Sequence, residues 1–326
     1  MKKKIAVIMG GYSSEYEISI GSGEAVMMAL ADSDYDATQV LILKDRWVAV
    51  ENGVEMAIDK NDFSFLRQDE KITFDGVFNA IHGTPGEDGL MQAYFEIVNM
   101  KHTSCDFFGS ALTFNKSKTN AIVSRFGVNC AKGMYFTGND TIDENELAEN
   151  LGFPLFVKLS RSGSSYGITR VTELAGIKPA IDEAKKEDSD IVVEAAVLGI
   201  EVGCGVARLN GKVEVLAITE IVSKNAFFDF QAKYEGASEE ITPARIASEI
   251  QNEIEENSIA LYEKLELKGV IRVDYIIEES TNRPVFIEVN TVPGLSPASI
   301  VPKQLEYKGY SQKEFFTLVL EETLKS

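Results

Sequence analysis

A chain of 326 residues, 44% hydrophobic and 25% charged, carries too much apolar surface to stay disordered and is long enough to split into two or three domains. Its 51 acidic residues against 32 basic ones leave a formal charge of −19, a field that repels phosphate backbones and anionic lipid, so neither nucleic acid nor a membrane surface is an expected partner. An anionic small substrate could bind only at a local cluster of Lys, Arg and backbone N–H groups.

Cys105, Cys130 and Cys204 are an odd number without CxxC spacing, accompanied by only two histidines, which excludes a disulfide framework or a Cys/His zinc site as an expectation. After Lys2, Lys3 and Lys4 the apolar run Ile5–Met9 is too short for a secretion signal, and no stretch of about 18 apolar residues occurs. The expectation is a cytoplasmic protein.

Ile5–Met9, ended by Gly10-Gly11, reads as a parallel strand buried on both faces. Helical spacing over Ile18–Ala31 and strands over Val40–Leu43 and Gly76–His82 complete a βαβ pattern, with glycine-rich turns where such sheets bind ligands. Gly10-Gly11-Tyr12-Ser13-Ser14-Glu15 is not GxGxxG, so a dinucleotide-dependent dehydrogenase loses its main support. A basic helical segment near Phe114–Lys118 opens a second region with strands at Met134–Phe136, Pro154–Lys158, Ile191–Glu194 and Glu201–Ala207. A third, α+β region follows: a strand at Val213–Ile218, a polar segment Gln231–Thr242, a charged helix Ile246–Leu265, and strands Val270–Ile277 and Val285–Asn290.

The last two strands are joined by a hairpin-length loop, and alternation puts Arg272 with Asp274 on one face and Glu288 with Asn290 on one face. Facing each other, they offer three hard oxygen ligands that match magnesium beside bound phosphates; a solvated face with an ordinary Arg–Asp pair is the alternative. The turn Asn290-Thr-Val-Pro-Gly294 then brings backbone N–H groups to the same place, as an oxyanion requires. Lys158 through Gly167 is a strand ending in lysine followed by a glycine–serine loop, fitted either to fold N–H groups over phosphate or to serve as a surface linker. His82, in a glycine-rich loop, is either a hydrogen-bonded structural residue or a site residue; Glu15 is either a helix-start acid or a partner for a ligand ammonium.

Taken together, Gly10-Gly-Tyr-Ser-Ser-Glu-Tyr-Glu-Ile-Ser19, His82-Gly-Thr-Pro-Gly-Glu-Asp-Gly89, Lys158-Leu-Ser-Arg-Ser-Gly-Ser-Ser165, Gly269-Val-Ile-Arg-Val-Asp274 and Glu288-Val-Asn-Thr-Val-Pro-Gly294 resemble the D-alanine-D-alanine ligase family of the ATP-grasp superfamily. The motifs keep the family's order over nearly the whole chain. The resemblance implies α/β and α+β architecture in three domains: 1–114, an N-terminal Rossmann-like parallel-sheet domain for substrate; 115–201, a central ATP-grasp subdomain; and 202–326, a C-terminal catalytic domain. It implies ATP-dependent joining of two D-alanines through an acyl phosphate for peptidoglycan precursors, in a homodimer. The alternatives are a ligase joining D-alanine to D-lactate or D-serine, and a catalytically silent nucleotide-binding regulator of the same fold.

By the same resemblance, Glu15 holds the first ammonium near His82, with Ser164 and Tyr234 as partners of Glu15 that close the site. Arg272 and the Gly294 N–H receive the tetrahedral oxyanion, and Ser299 and Lys233 the second carboxylate. Lys116, Lys158, Ser165 and Lys233 serve the phosphates, Glu194 and Val197 the adenine, and Glu201 the ribose. Asp274, Glu288 and Asn290 take two Mg2+ (or Mn2+) ions, and Phe228–Thr242 is a lid against water. Departures at Ala195, Leu159 and Tyr166 bear on nucleotide affinity. Tyr234, where depsipeptide-forming relatives carry phenylalanine, favours the dipeptide.

Overall fold

The computed structural model describes residues 2–138, 140–161, 163, 167–223 and 238–325. Ile5–Met9 is fully buried because β1 (Lys3–Gly10) lies inside a sheet, pairing in parallel with β2 (Tyr35–Ile42) on one side and β7 (Gly76–Asn79) on the other. The helix Tyr16–Leu30 packs closely on it through small residues; Ser19 Oγ accepts from the Gly10 N–H and donates to the Ala80 carbonyl. Beyond β2 the sheet continues as an antiparallel meander of β3 (Trp47–Glu51), β4 (Val54–Asp59), β5 (Ser64–Arg67) and β6 (Glu70–Ile72), so the expected parallel sheet is a mixed one. The strand expected to reach His82 stops at Asn79. There the Asn79 side chain accepts from the Ile81 N–H and donates to the Gly86 carbonyl, turning the chain into a loop.

A second sheet, ordered β10-β9-β11-β8, is antiparallel and consists of β8 (Gly133–Phe136), β9 (Leu155–Leu159), β10 (Thr169–Val171) and β11 (Ile191–Ala195). It closes its own core around Leu147, Leu155, Val157, Ile181 and Val193. The third sheet is antiparallel in the order β14-β13-β12-β15-β16, formed by β12 (Gly199–Leu209), β13 (Lys212–Ser223), β14 (Ser238–Ile241), β15 (Val270–Glu278) and β16 (Arg283–Asn290). Glu201–Ala207 therefore pairs within this sheet and not with the four strands before it, and the C-terminal end of the expected lid stretch is strand β14. The helix Ser248–Lys264 buries Ile254, Leu261 and Tyr262 against this sheet.

The chain then returns to its start. Phe315, Phe316, Val319 and Leu320 of the last helix, Gln312–Lys325, share one core with Ile5, Val7 and Met9 of β1 and with Ala207 and Leu209 of β12. Phe78 and Phe316 meet edge to face at 5.4 Å. Among the described residues no helix is long and apolar enough to cross a membrane.

Candidate active site

The facing arrangement predicted for the last two strands is present. In the β15–β16 ladder Arg272 opposes Asn290 and Asp274 opposes Glu288, so all four side chains share a face, and the ladder shifts register only beyond Asp274. Buried Asp274 accepts from Arg272 through both oxygens, Nε at 2.7 Å and a terminal nitrogen at 2.8 Å, and from Asn290 Nδ2 at 2.9 Å. Lys116, opening the helix Lys116–Val123, reaches Glu288 with Nζ 2.9 Å from Oε2. Burial alone would lower the Lys116 ammonium, but the Glu288 carboxylate raises it above the ordinary lysine range; Arg272 is likewise raised, Asp274 outweighing the loss of water. Two cations and two carboxylates balance. Among the described residues no group of three or more His, Cys, Asp and Glu side chains forms a metal cage. An ion here would take oxygen from Asp274, Glu288 and Asn290 and complete its shell with phosphate and water, which fits magnesium better than a softer metal.

On the neighbouring sheet Lys158 of β9 lies diagonally across the ladder from Glu194 of β11 and contacts it at 2.6 Å; the other Glu194 oxygen accepts from Asn120 Nδ2 at 2.8 Å. Val197 lies half-buried in the crossing from β11 to β12. The glycine–serine loop after Lys158 is anchored at its base: the Lys116 N–H donates to the Ser160 carbonyl, and Arg161 grips Asp188 with its backbone N–H, Nε and a terminal nitrogen. Arg161 thus tethers the base of the loop. From that base the loop reaches Glu15, since a Cβ built on Gly163 would stand 2.7 Å from Glu15 Oε2, so that any side chain there would displace the Glu15 carboxylate. Ser164, Ser165, Tyr166, Lys233 and Tyr234 lie outside the described residues.

A cavity of about 330 Å³ collects Glu15, His82, Gly163, Glu201, Arg272, Asn290, Gly294 and Ser299 in its wall, bringing these eight predicted or motif residues together. His82 is 4% exposed, and burial pushes its imidazole below the usual range, against the pull of Glu15 and a backbone bond to Val292. It is neutral at pH 7 and rests on Ser22 Oγ at 2.9 Å, which also accepts from the Leu295 N–H at 3.1 Å. The turn at Asn290 spends its donors unequally: Thr291 and Val292 donate to Glu87 Oε1, Leu295 to Ser22, and Pro293 has no N–H. Gly294 alone in this turn finds no acceptor among the described residues, and it lines the cavity; Ser299 Oγ would stand 2.6 Å from a Cβ there, so a side chain at this position would push Ser299 aside.

Sequence reasoning missed Glu87, Ser22 and Asn120. Glu87 lies within the His82–Gly89 motif, where an acid in a glycine-rich loop at a strand end is the available signal; its carboxyl is pushed up to about 7 by burial and by Glu15, while its backbone N–H donors pull the other way. Ser22 and Asn120 carry no such signal.

Comparison with known proteins agrees with this geometry. The family models described as D-ala D-ala ligase N-terminus and C-terminus match residues 4–105 and 122–321. A D-alanine–D-alanine ligase of Flavobacterium johnsoniae is 47% identical over 323 residues, 99% of each chain, and that of Christiangramia forsetii 44% identical over 325 residues, again 99% of each. Among solved structures, D-alanyl-alanine synthetase A from Vibrio cholerae superposes with a TM-score of 0.90 at 27% identity, covering 100% of both chains. The VanG D-Ala:D-Ser ligase from Enterococcus faecalis does so with 0.88 at 32% identity, covering 98% of this chain and 99% of its own. The chain belongs to the D-alanine–D-alanine ligase family.

Proposed function

We propose that this protein joins two D-alanines into D-alanyl-D-alanine, driven by ATP, for peptidoglycan precursor synthesis in the cytoplasm. The observation that carries the reading is the convergence of Glu15, Arg272 and the unaccepted Gly294 N–H on one cavity, flanked by Lys116 and Asn290. The N-terminal, four-stranded and five-stranded sheets are its three domains, with ATP between the last two.

In this reading Glu15 holds the first D-alanine's ammonium, and that D-alanine's own carboxylate attacks the γ-phosphate to give a D-alanyl phosphate and ADP. Lys116 and Lys158, with Ser165 and Lys233, draw charge from the phosphates, while Glu194, Val197 and Glu201 bind the nucleoside. Asp274, Glu288 and Asn290 would hold the divalent cations, Mg2+ or Mn2+, whose chemistry is neutralisation of the phosphoryl oxygens. The second D-alanine, held through its carboxylate by Ser299 and Lys233, attacks the acyl carbon with its neutral amine, and the proton that nitrogen loses departs with the leaving phosphate. Arg272 and the Gly294 N–H receive the oxyanion before phosphate leaves. Ser164 and Tyr234 close over Glu15, and neutral His82 braces the turn without moving a proton.

Incubation of the purified protein with ATP, magnesium and D-alanine tests this: ADP and dipeptide form together and only with D-alanine. No D-alanine-dependent ADP would refute it. Because one similar structure is a D-Ala:D-Ser ligase, D-serine and D-lactate belong in competition with D-alanine, and D-alanine is expected to win as acceptor. A homodimer completes the proposal. Leu90, Ile97, Phe107 and Phe108 are exposed apolar side chains on the helices Leu90–Ile97 and Phe107–Phe114, and a second copy would cover them. A monomer's mass in light scattering would refute it.

A further inference from the structure

We propose that Glu87 is a positioning residue, the strut that holds the oxyanion-donating turn Asn290–Leu295 at a set distance from the first-substrate subsite. One of its oxygens, Oε1, accepts from the backbone N–H groups of Thr291 at 3.1 Å and Val292 at 3.3 Å; the other, Oε2, accepts from the Gly83 N–H at 3.1 Å. A single carboxylate therefore joins the loop after β7 to the turn after β16, segments more than 200 residues apart in the chain.

The Gly83 end of this strut abuts Glu15: a Cβ on Gly83 would stand 3.3 Å from Glu15 Oε2 and 2.9 Å from Ser13 Oγ. At its far end the turn is caught a second time, where the Leu295 N–H donates to Ser22 Oγ and Ser22 carries His82. Gly294 sits between the two anchors. Its N–H is the donor left over for the cavity, so its place relative to Glu15 is set by Glu87 on one side and by Ser22 on the other.

The chemistry of the strut calls for a carboxylate. In its ionised form Glu87 presents only acceptors to the three backbone donors, with lone pairs enough for all of them. Glutamine presents an NH2 to one of the donors, so one loop is released or repelled. Aspartate falls one methylene short of spanning both loops. Misplacing a transition-state donor by about 1 Å is enough to slow an enzyme on the order of 100-fold, without loss of the distant nucleotide contacts.

The inference rests on the ligase reading, and steady-state kinetics of wild type, Glu87→Gln and Glu87→Asp, varying D-alanine and ATP separately, tests both. Binding of a non-hydrolysable ATP analogue, by calorimetry, gives the competent fraction of each preparation, to which kcat is normalised. In both variants normalised kcat is expected to fall about 10- to 100-fold and KM for D-alanine to rise, with KM for ATP within about twofold of wild type. Normalised kcat within twofold of wild type, or a KM for ATP that rises as far as that for D-alanine, would overturn the strut. A wild type that makes no dipeptide would overturn the ligase reading and the inference with it, an outcome distinct from a competent wild type matched by its variants.

Discussion

Replacing Glu194 with glutamine tests how the four-stranded sheet is wired to the nucleotide end of the site. Glu194 is 5% exposed and has both oxygens engaged, one by Lys158 at 2.6 Å and one by Asn120 at 2.8 Å. Glutamine can keep an oxygen on Lys158 only by turning its NH2 onto the Asn120 amide, which must then flip. Even so, the Lys158 ammonium, 15% exposed, loses its counter-charge. Breaking a buried pair costs about 3–5 kcal/mol; the retained amide hydrogen bond brings the expectation here to about 2–3 kcal/mol. Hydrogen exchange at the Val157, Val192 and Val193 amides reads the stability of these strands directly and should show that loss of protection. KM for ATP should rise more than KM for D-alanine. Adding Lys158→Met should return about 1 kcal/mol or more, because the stranded charge is gone. Protection unchanged within about 0.5 kcal/mol, or strictly additive losses in the double variant, would refute the reasoning.

Glu288→Gln, which weakens both the Lys116 pair and the oxygen set, should lower turnover at least ~100-fold in the coupled ADP assay; wild-type turnover would remove Glu288 from the metal set. Gly163→Ala places a methyl 2.7 Å from Glu15 Oε2, so KM for D-alanine should rise about tenfold, and an unaltered KM would show that the loop does not close on Glu15. His102, packed at a tilt against Phe95, is pushed from 6.5 down to about 4 by burial. The unfolded chain therefore binds this proton from about pH 6.5 downward while the folded chain does not until about 4, so the contribution is whole above 6.5 and is lost as pH falls between those values. His102→Gln should flatten the acid limb of the urea-midpoint profile in that window, and identical slopes in the two proteins would count against it.

How far the sequence is legible depends on what each residue answers to. Arg272, Asp274, Glu288 and Asn290 answer to strand alternation, a local rule, and their common face was readable from spacing. The meander β3–β6 was not, since its strands are three to six residues long and turn at Asn52, Gln68 and Asp69 with positive φ, without glycine to mark every corner. Arg161 looked like part of a phosphate loop; its partner Asp188, 27 residues on, is announced by no pattern. Glu87 is the extreme case. Its partners are backbone donors, present at almost every residue, and only the fold decides which of them meet it.

The return of the last helix to the first strand has a consequence for biosynthesis. Ile5, Val7 and Met9 leave the ribosome about three hundred residues ahead of the side chains that complete their surroundings, Phe315, Phe316, Val319 and Leu320. The opening sheet thus leaves the exit tunnel with an uncovered greasy side, and it stays so for the translation of some three hundred codons. Nascent-chain quality control, more than mature-state stability, is where a lesion in Gln312–Lys325 should first be felt.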